Sequence, residues 1–205
     1  MKVILINGSP NSKGCTYTAL SEVAASLNAE GVETEIIHVG NKDIRGCIGC
    51  RKCKQTGKCV FNDIVNEVSP KFAECDGIVL GSPVYFASAN GSLVSFADRL
   101  FYSTPGSKRM KVGAAVVSAR RGGNSATFDE LNKYFTISEM PVVSSGYWNM
   151  VHGYTPEDVY ADKEGIWTMH TLGKNMAFLM KGIALAREKY GLPETEKREF
   201  TNFIR

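Results

Sequence analysis

KVILINGSPNSKGCTYTALSEVAASLNAEGVETEIIHV, residues 2–39, decides the fold. Residues 2–7 form a short apolar run closed by Gly8, as expected of a strand buried on both faces. From Cys15 to Ala29, Leu20, Val23, Ala24 and Leu27 recur at helical spacing, and Gly31 supplies the stop. ETEIIHV, residues 33–39, reads as a second strand. Strand, helix and strand in so short a stretch make a βαβ unit, which predicts parallel pairing and a right-handed crossover.

The alternation continues down the chain. Helices are expected over 63–73, 91–101, 127–135 and 168–189, and strands over 76–82, 111–119 and 141–148. Five strands and five helices predict an α/β fold, a three-layer doubly wound five-stranded parallel sheet. Sheets of this kind commonly take the flavodoxin-like order 2-1-3-4-5, with the ligand beyond the carboxyl ends of the strands. At 205 residues one domain suffices, 1–205, carrying a cysteine-rich insertion at 46–60 and a C-terminal helix and tail at 168–205.

Hydrophobic content of 43% and charged content of 22% fit a globular protein, and no segment approaches the roughly 20 apolar residues of a membrane span. No secretory leader precedes the first strand at Lys2, so a cytoplasmic location is expected, and with it few structural disulfides. Net charge is +3 and the basic residues are scattered, so neither nucleic acid nor membrane is an expected partner.

Three loops carry the chemistry. NGSPNSKGCT, residues 7–16, exposes backbone N–H groups at a helix start, where the helix dipole favours a phosphate monoester. Ser9, Ser12 and Thr16 add hydroxyls, although Ser12 could equally serve only as a helix cap. The loop is neither a Walker A motif nor a G-x-G-x-x-G fingerprint. GSPVYFASANGSL, residues 81–93, sets Pro83, Val84, Tyr85 and Phe86 just past a buried strand, a shelf for a flat aromatic ligand or an element of packing. SARRGGNSAT, residues 118–127, brings Arg120 and Arg121 to the same rim and lets Gly122 and Gly123 approach closely. A phosphate seat, a planar apolar slot and a charged lip match the three parts of flavin mononucleotide (FMN).

GSPNSKGCT, GSPVYFASANGSLVSFADR and SARRGG together resemble the NADPH-dependent FMN reductase family of flavodoxin-like proteins, in its iron-sulfur flavoprotein branch; the likeness runs from Met1 to about Lys181. The resemblance implies that Ser9, Asn11, Ser12, Cys15 and Thr16 surround the FMN phosphate. It places Pro83, Val84, Tyr85 and Phe86 beside the ribityl chain and ring, with Ser118, Ala119, Arg120, Arg121, Gly122 and Gly123 along the ring edge. Cys15 stands where the family commonly has Asn. Subunits in the family pair with the flavin near the interface, so a homodimer or homotetramer is expected.

CIGCRKCKQTGKC, residues 47–59, has the spacing C-x2-C-x2-C-x5-C, close to the compact run of bacterial ferredoxins. Gly46, Gly49 and Gly57 give such a loop its freedom. The resemblance matches Cys47, Cys50, Cys53 and Cys59 to the ligands of a 4Fe-4S cluster. A four-thiolate zinc site, a thiol relay and a metal-free loop are the competing readings. Cys75 reads as a buried small hydrophobe.

His38, His152 and His170 share no spacing with one another or with a carboxylate pair and read as structural, although His152 could line the pocket from beyond the fifth strand. Trp148 and Trp167 read as packing or interface residues. No nucleophile–base pair appears, as expected if flavin carries the reaction. The expected function is an FMN-dependent oxidoreductase passing electrons between a 4Fe-4S cluster, FMN and a small-molecule acceptor, with a ferredoxin-like carrier as outside partner. The alternatives are a cluster-free FMN or quinone reductase using NAD(P)H, and a non-catalytic FMN-binding carrier.

Overall fold

The computed structural model describes residues 1–197, 199 and 201; the remainder of the expected tail, 198, 200 and 202–205, lies outside the described residues. The first strand, β1 (Lys2–Asn7), is followed by α1 (Cys15–Ala29) and β2 (Glu33–His38), as the βαβ pattern requires. A single turn, α2 (Cys53–Thr56), interrupts the cysteine segment before α3 (Ile64–Glu74). The chain then forms β3 (Gly77–Tyr85), a two-residue β4 (Ser88–Ala89), α4 (Gly91–Ser103), β5 (Val112–Ala119) and α5 (Asn124–Thr136). It closes with β6 (Met150–His152), α6 (Pro156–Ala161) and α7 (Lys163–Tyr190).

Five strands pair in parallel in the order β2-β1-β3-β5-β6, while β4 folds back antiparallel on β3. Leaving that short hairpin strand aside, the order is the expected 2-1-3-4-5. Along β1 the side chains alternate between the two faces. Ile4 and Ile6 join Val65, Phe72, Phe96 and Leu100 of α3 and α4, while Val3 and Leu5 join Leu20, Val23, Leu172 and Met176 of α1 and α7. Each fully buried branched or aromatic side chain contributes about 1.5–3 kcal/mol, so the two cores fix the layering.

The fifth parallel strand is displaced from its expected position at 141–148. Val142 makes one bridge to Gly113, the chain then leaves the sheet, and pairing resumes at Met150 beside Val117. Ser145 closes the excursion, its hydroxyl oxygen lying within hydrogen-bond distance of both the Tyr147 carbonyl and Asn149 Oδ1, with one proton to serve the two. Gly146 permits it: a Cβ there would lie 2.0 Å from the Trp167 ring. Three further boundaries differ, one of them the start of α5, at Asn124 instead of 127. The run expected as a loop at 81–93 is mostly the β3–β4 hairpin, and α7 begins at Lys163 instead of 168 because Asp162 caps it through the Gly165 N–H. Among the described residues no helix is long and apolar enough to cross a membrane.

Candidate functional site

A cleft of about 610 Å³ opens beyond the carboxyl ends of β1, β3, β5 and β6. That size suits a small ligand or cofactor. Its floor is the loop from Gly8 to Gly14, held from below. The buried Asn7 side chain accepts from Ser9 N at 3.0 Å and donates to the Ser12 carbonyl at 3.3 Å. His38 Nε2 lies 2.7 Å from the Ser9 carbonyl, and Ser9 Oγ accepts from Asn11 N. Gly40 crosses so close that a Cβ would sit 2.2 Å from the Ser9 oxygen.

This bracing delivers the chain to α1 in an unusual state. The N-cap is Gly14, no side chain caps the helix, and its first turn holds no acidic residue. Ser12 therefore does not act as the cap. The first-turn amides of a 15-residue helix are left at the cleft wall, with the positive end of the helix dipole behind them and Lys13 beside them. Thr16 is buried, and its Oγ1 lies 2.8 Å from Ser118 Oγ, tying the helix start to the end of β5. Of two paired hydroxyls one donates to the other, which leaves a second proton free for a ligand. Burial pushes the Cys15 thiol up from its ordinary value, with Asp158 and Glu157 nearby in the same sense, and its Sγ lies 3.6 Å from the Gly153 carbonyl. It is a neutral wall residue.

Pro83, Val84 and Tyr85 form the opposing shelf. Phe86 and Ala87 make the hairpin tip, both in left-handed backbone (φ 53° and 59°), and Phe86 projects fully into solvent. Glu130 pins the hairpin, accepting from Ser88 Oγ and Ala89 N, each at 2.8 Å. Gly123 (φ 91°) lies against it, where a Cβ would come within 2.9 Å of Val84 and Ala87. Ser118, Ala119 and Arg120 line the cleft, as do Ser9, Asn11, Ser12, Cys15 and Thr16. Phe86, Arg121, Gly122 and Gly123 do not line it.

The sequence reading missed one wall. Gly153, Tyr154, Thr155 and Pro156, between β6 and α6, complete the cleft. A signal was present in TPED, residues 155–158: Thr155 and Asp158 form a reciprocal capping box with Pro156 opening the helix. His152 sits on β6 and is not a lining residue; its Nδ1 faces Asp162 at 3.6 Å.

The cysteine segment lies against the C-terminal half of α4. Cys47, Cys50, Cys53 and Cys59 line one pocket together with Ile48, Val60, Phe61 and Tyr102. The chain turns between successive cysteines through left-handed residues, Gly49 (φ 65°), Arg51 (φ 59°) and Gly57 (φ 68°). Among the described residues no group of three or more His, Cys, Asp or Glu side chains is close enough to hold a single metal ion. A polynuclear cluster keeps its ligands farther apart than one ion does, and a thiol-lined, apolar-walled pocket fits it. The cleft fits FMN on separate grounds: an uncapped helix start for the phosphate and an apolar shelf for the ring.

The chain matches the NADPH-dependent FMN reductase family over residues 1–155. It is 39% identical to an iron-sulfur flavoprotein of Methanocaldococcus jannaschii, an alignment covering 88% of this chain and 98% of the relative. Among solved structures, RosB with a bound formylated riboflavin phosphate superposes with a TM-score of 0.73 at 13% identity, covering 100% of this chain and 94% of that one. A flavodoxin from the domain Archaea gives 0.59 at 16%, covering 88% and 99%. At such identities the structures speak for the fold alone. The fold is flavodoxin-like, and the family match makes the protein a flavin-dependent oxidoreductase that uses FMN. The chain belongs to the NADPH-dependent FMN reductase family.

Proposed function

We propose that this protein is an iron-sulfur flavoprotein, in which Cys47, Cys50, Cys53 and Cys59 hold a 4Fe-4S cluster that exchanges single electrons with FMN and, through it, with a small acceptor. The observation that carries the reading is the convergence of these four thiols, and no other cysteine, on one pocket. The relative at 39% identity bears the same description. FMN, when bound, supplies the conversion between hydride and single-electron chemistry.

The chain's own residues do the rest. The α1 amides and Lys13 would hold the phosphate, the Thr16–Ser118 pair would donate one hydroxyl proton, and Pro83 to Tyr85 would give the ring an apolar shelf. Arg120, the one cleft-lining guanidinium, supplies positive charge at the lip. Around the thiols lie Arg45, Arg51, Lys52, Lys54 and Lys58, with no acidic residue between Asp43 and Asp63. This collar suits an acidic, ferredoxin-like electron carrier, steered by charge and weakened by salt. NAD(P)H is the alternative donor. Phe86, Trp148, Tyr154 and Trp167 are large exposed aromatics that suit association of copies into a homodimer or homotetramer. The free cysteines suit the cytoplasm.

The test is anaerobic purification, with iron and acid-labile sulfide measured against FMN and a visible spectrum before and after dithionite. The expected result is a broad absorbance beside the flavin bands that is abolished by Cys47→Ala. Flavin bands alone after anaerobic reconstitution with iron and sulfide contradict the cluster and favour the cluster-free NAD(P)H-dependent reductase.

A further inference from the structure

Arg99 is the only charged side chain buried to about 1% exposure among the described residues. It lies on α4, among Phe96 and Leu100 of the core, where an aliphatic residue would carry no desolvation cost. All five of its N–H groups are used. Nη1 and Nη2 fork onto the Asp63 carboxylate at 2.7 and 2.8 Å, and the same nitrogens reach the carbonyls of Arg45 (3.1 Å) and Phe61 (3.4 Å). The fifth, Nε–H, donates to Cys59 Sγ at 3.2 Å. The guanidinium thus holds both ends of the cysteine segment, residue 45 before it and residues 59–63 after it.

Cys59 is fixed from a second side as well. Asn66 Oδ1 accepts from Cys59 N at 2.9 Å, and Asn66 Nδ2 donates to the Cys59 and Phe61 carbonyls at 3.0 Å. Asp63 also caps α3 through the Val65 N–H, which ties the arrangement to a helix end. Cys47 and Cys50, by contrast, are exposed.

We infer that Arg99 is a positioning residue for the cluster proposed above: it pre-sets Cys59 as the fixed anchor on which the other three thiols close, and it aims a charged donor at that sulfur. This rests on the iron-sulfur reading. A donor on a cluster-ligating sulfur stabilises the more negative, reduced state and so raises the midpoint potential.

The experiment compares native protein with Arg99→Lys, with the charge-neutral double variant Arg99→Met/Asp63→Asn, and with Asp63→Asn alone. Anaerobically reconstituted protein is titrated potentiometrically under EPR, with the FMN couple in the same sample as internal control. Loss of the donor is expected to shift the reduced-to-oxidised ratio about ten-fold, a fall of about 59 mV for one electron, in both Arg99 variants. The FMN couple stays in place, and Asp63→Asn, which keeps Nε–H on the sulfur, moves the potential less.

In iron-free native protein, iodoacetamide labels Cys59 more slowly than Cys47 or Cys50, and Arg99→Lys removes that protection. Arg99 variants that load no iron and have lost the Cys59 protection support the assignment. Variants that load iron at an unmoved potential, or load none while Cys59 stays protected, overturn it. Native protein that takes up no iron overturns the iron-sulfur reading and this assignment with it.

Discussion

Thr16 Oγ1 and Ser118 Oγ lie 2.8 Å apart, both buried, and join the first turn of α1 to the carboxyl end of β5 at the base of the cleft. The contact spans elements 102 residues apart in sequence and sets the distance between the helix amides and the β5 edge. Thr16→Val removes one hydroxyl and leaves Ser118 without its partner. The expected loss is about 1–2 kcal/mol of FMN affinity, roughly five- to thirty-fold, read by quenching of flavin fluorescence. An unchanged affinity contradicts the contact.

Gly14 stands at the N-cap of α1 with no side chain on the amides. In Gly14→Asp a carboxylate accepts from those amides, which adds a few tenths of a kcal/mol to the helix, partly offset by the 3.0 Å approach of the new Cβ to Asn11. The same carboxylate occupies the phosphate seat and repels the ligand. Apoprotein of nearly unchanged thermal stability with FMN affinity weakened by about 2 kcal/mol or more is expected. Calorimetry and titration of one sample measure both.

Gly40 packs across the Ser9 carbonyl with no room for a methyl group. In Gly40→Ala either the phosphate loop or the chain after β2 must move, at a cost of about 1–3 kcal/mol in urea denaturation. Because the same loop carries Ser9 and Asn11, FMN affinity falls together with stability. Intact affinity in a destabilised variant would separate the loop from the ligand.

Cys75 is buried, and burial pushes its thiol up to about 11. A thiol raised in the folded state favours the fold while protonated, so its contribution is complete below the unfolded value near 9 and is lost as pH rises toward 11. Native stability is expected to fall by about 2–3 kcal/mol across that window, and Cys75→Ala to flatten that part of the profile. Identical slopes in the two proteins contradict this assignment.

The layering was legible because β1 is an unbroken apolar run and α1, in the next segment, carries apolar residues at a period of 3.6, and burial acts on both patterns directly. Loop one and the first three residues of loop three, Ser118 to Arg120, reach the cleft because open α/β sheets place ligands at strand carboxyl ends regardless of loop detail. The fifth strand was misplaced by a few residues, since Val142 and Val143 read as strand while the turn at Ser145 and the Gly146–Trp167 contact depend on tertiary packing. Phe86 was assigned to the ring shelf from its apolar character. Its left-handed backbone, invisible in sequence, turns it out to solvent. The Gly153–Pro156 wall was legible as a capping box, but its nearness to α1 follows only from how β6 sits beside β5. The Arg99–Cys59 contact joins residues 40 apart and left no local pattern to read.

The account depends on the open amides at the start of α1 as the seat of the FMN phosphate. Parallel equilibrium titrations of apoprotein with FMN and with riboflavin, which differ only in that phosphate, test it most directly. The expected result is FMN binding about a hundred-fold tighter or more, with the difference collapsing in Gly14→Asp. Equal affinity for the two flavins, or a preference that survives Gly14→Asp, would contradict it.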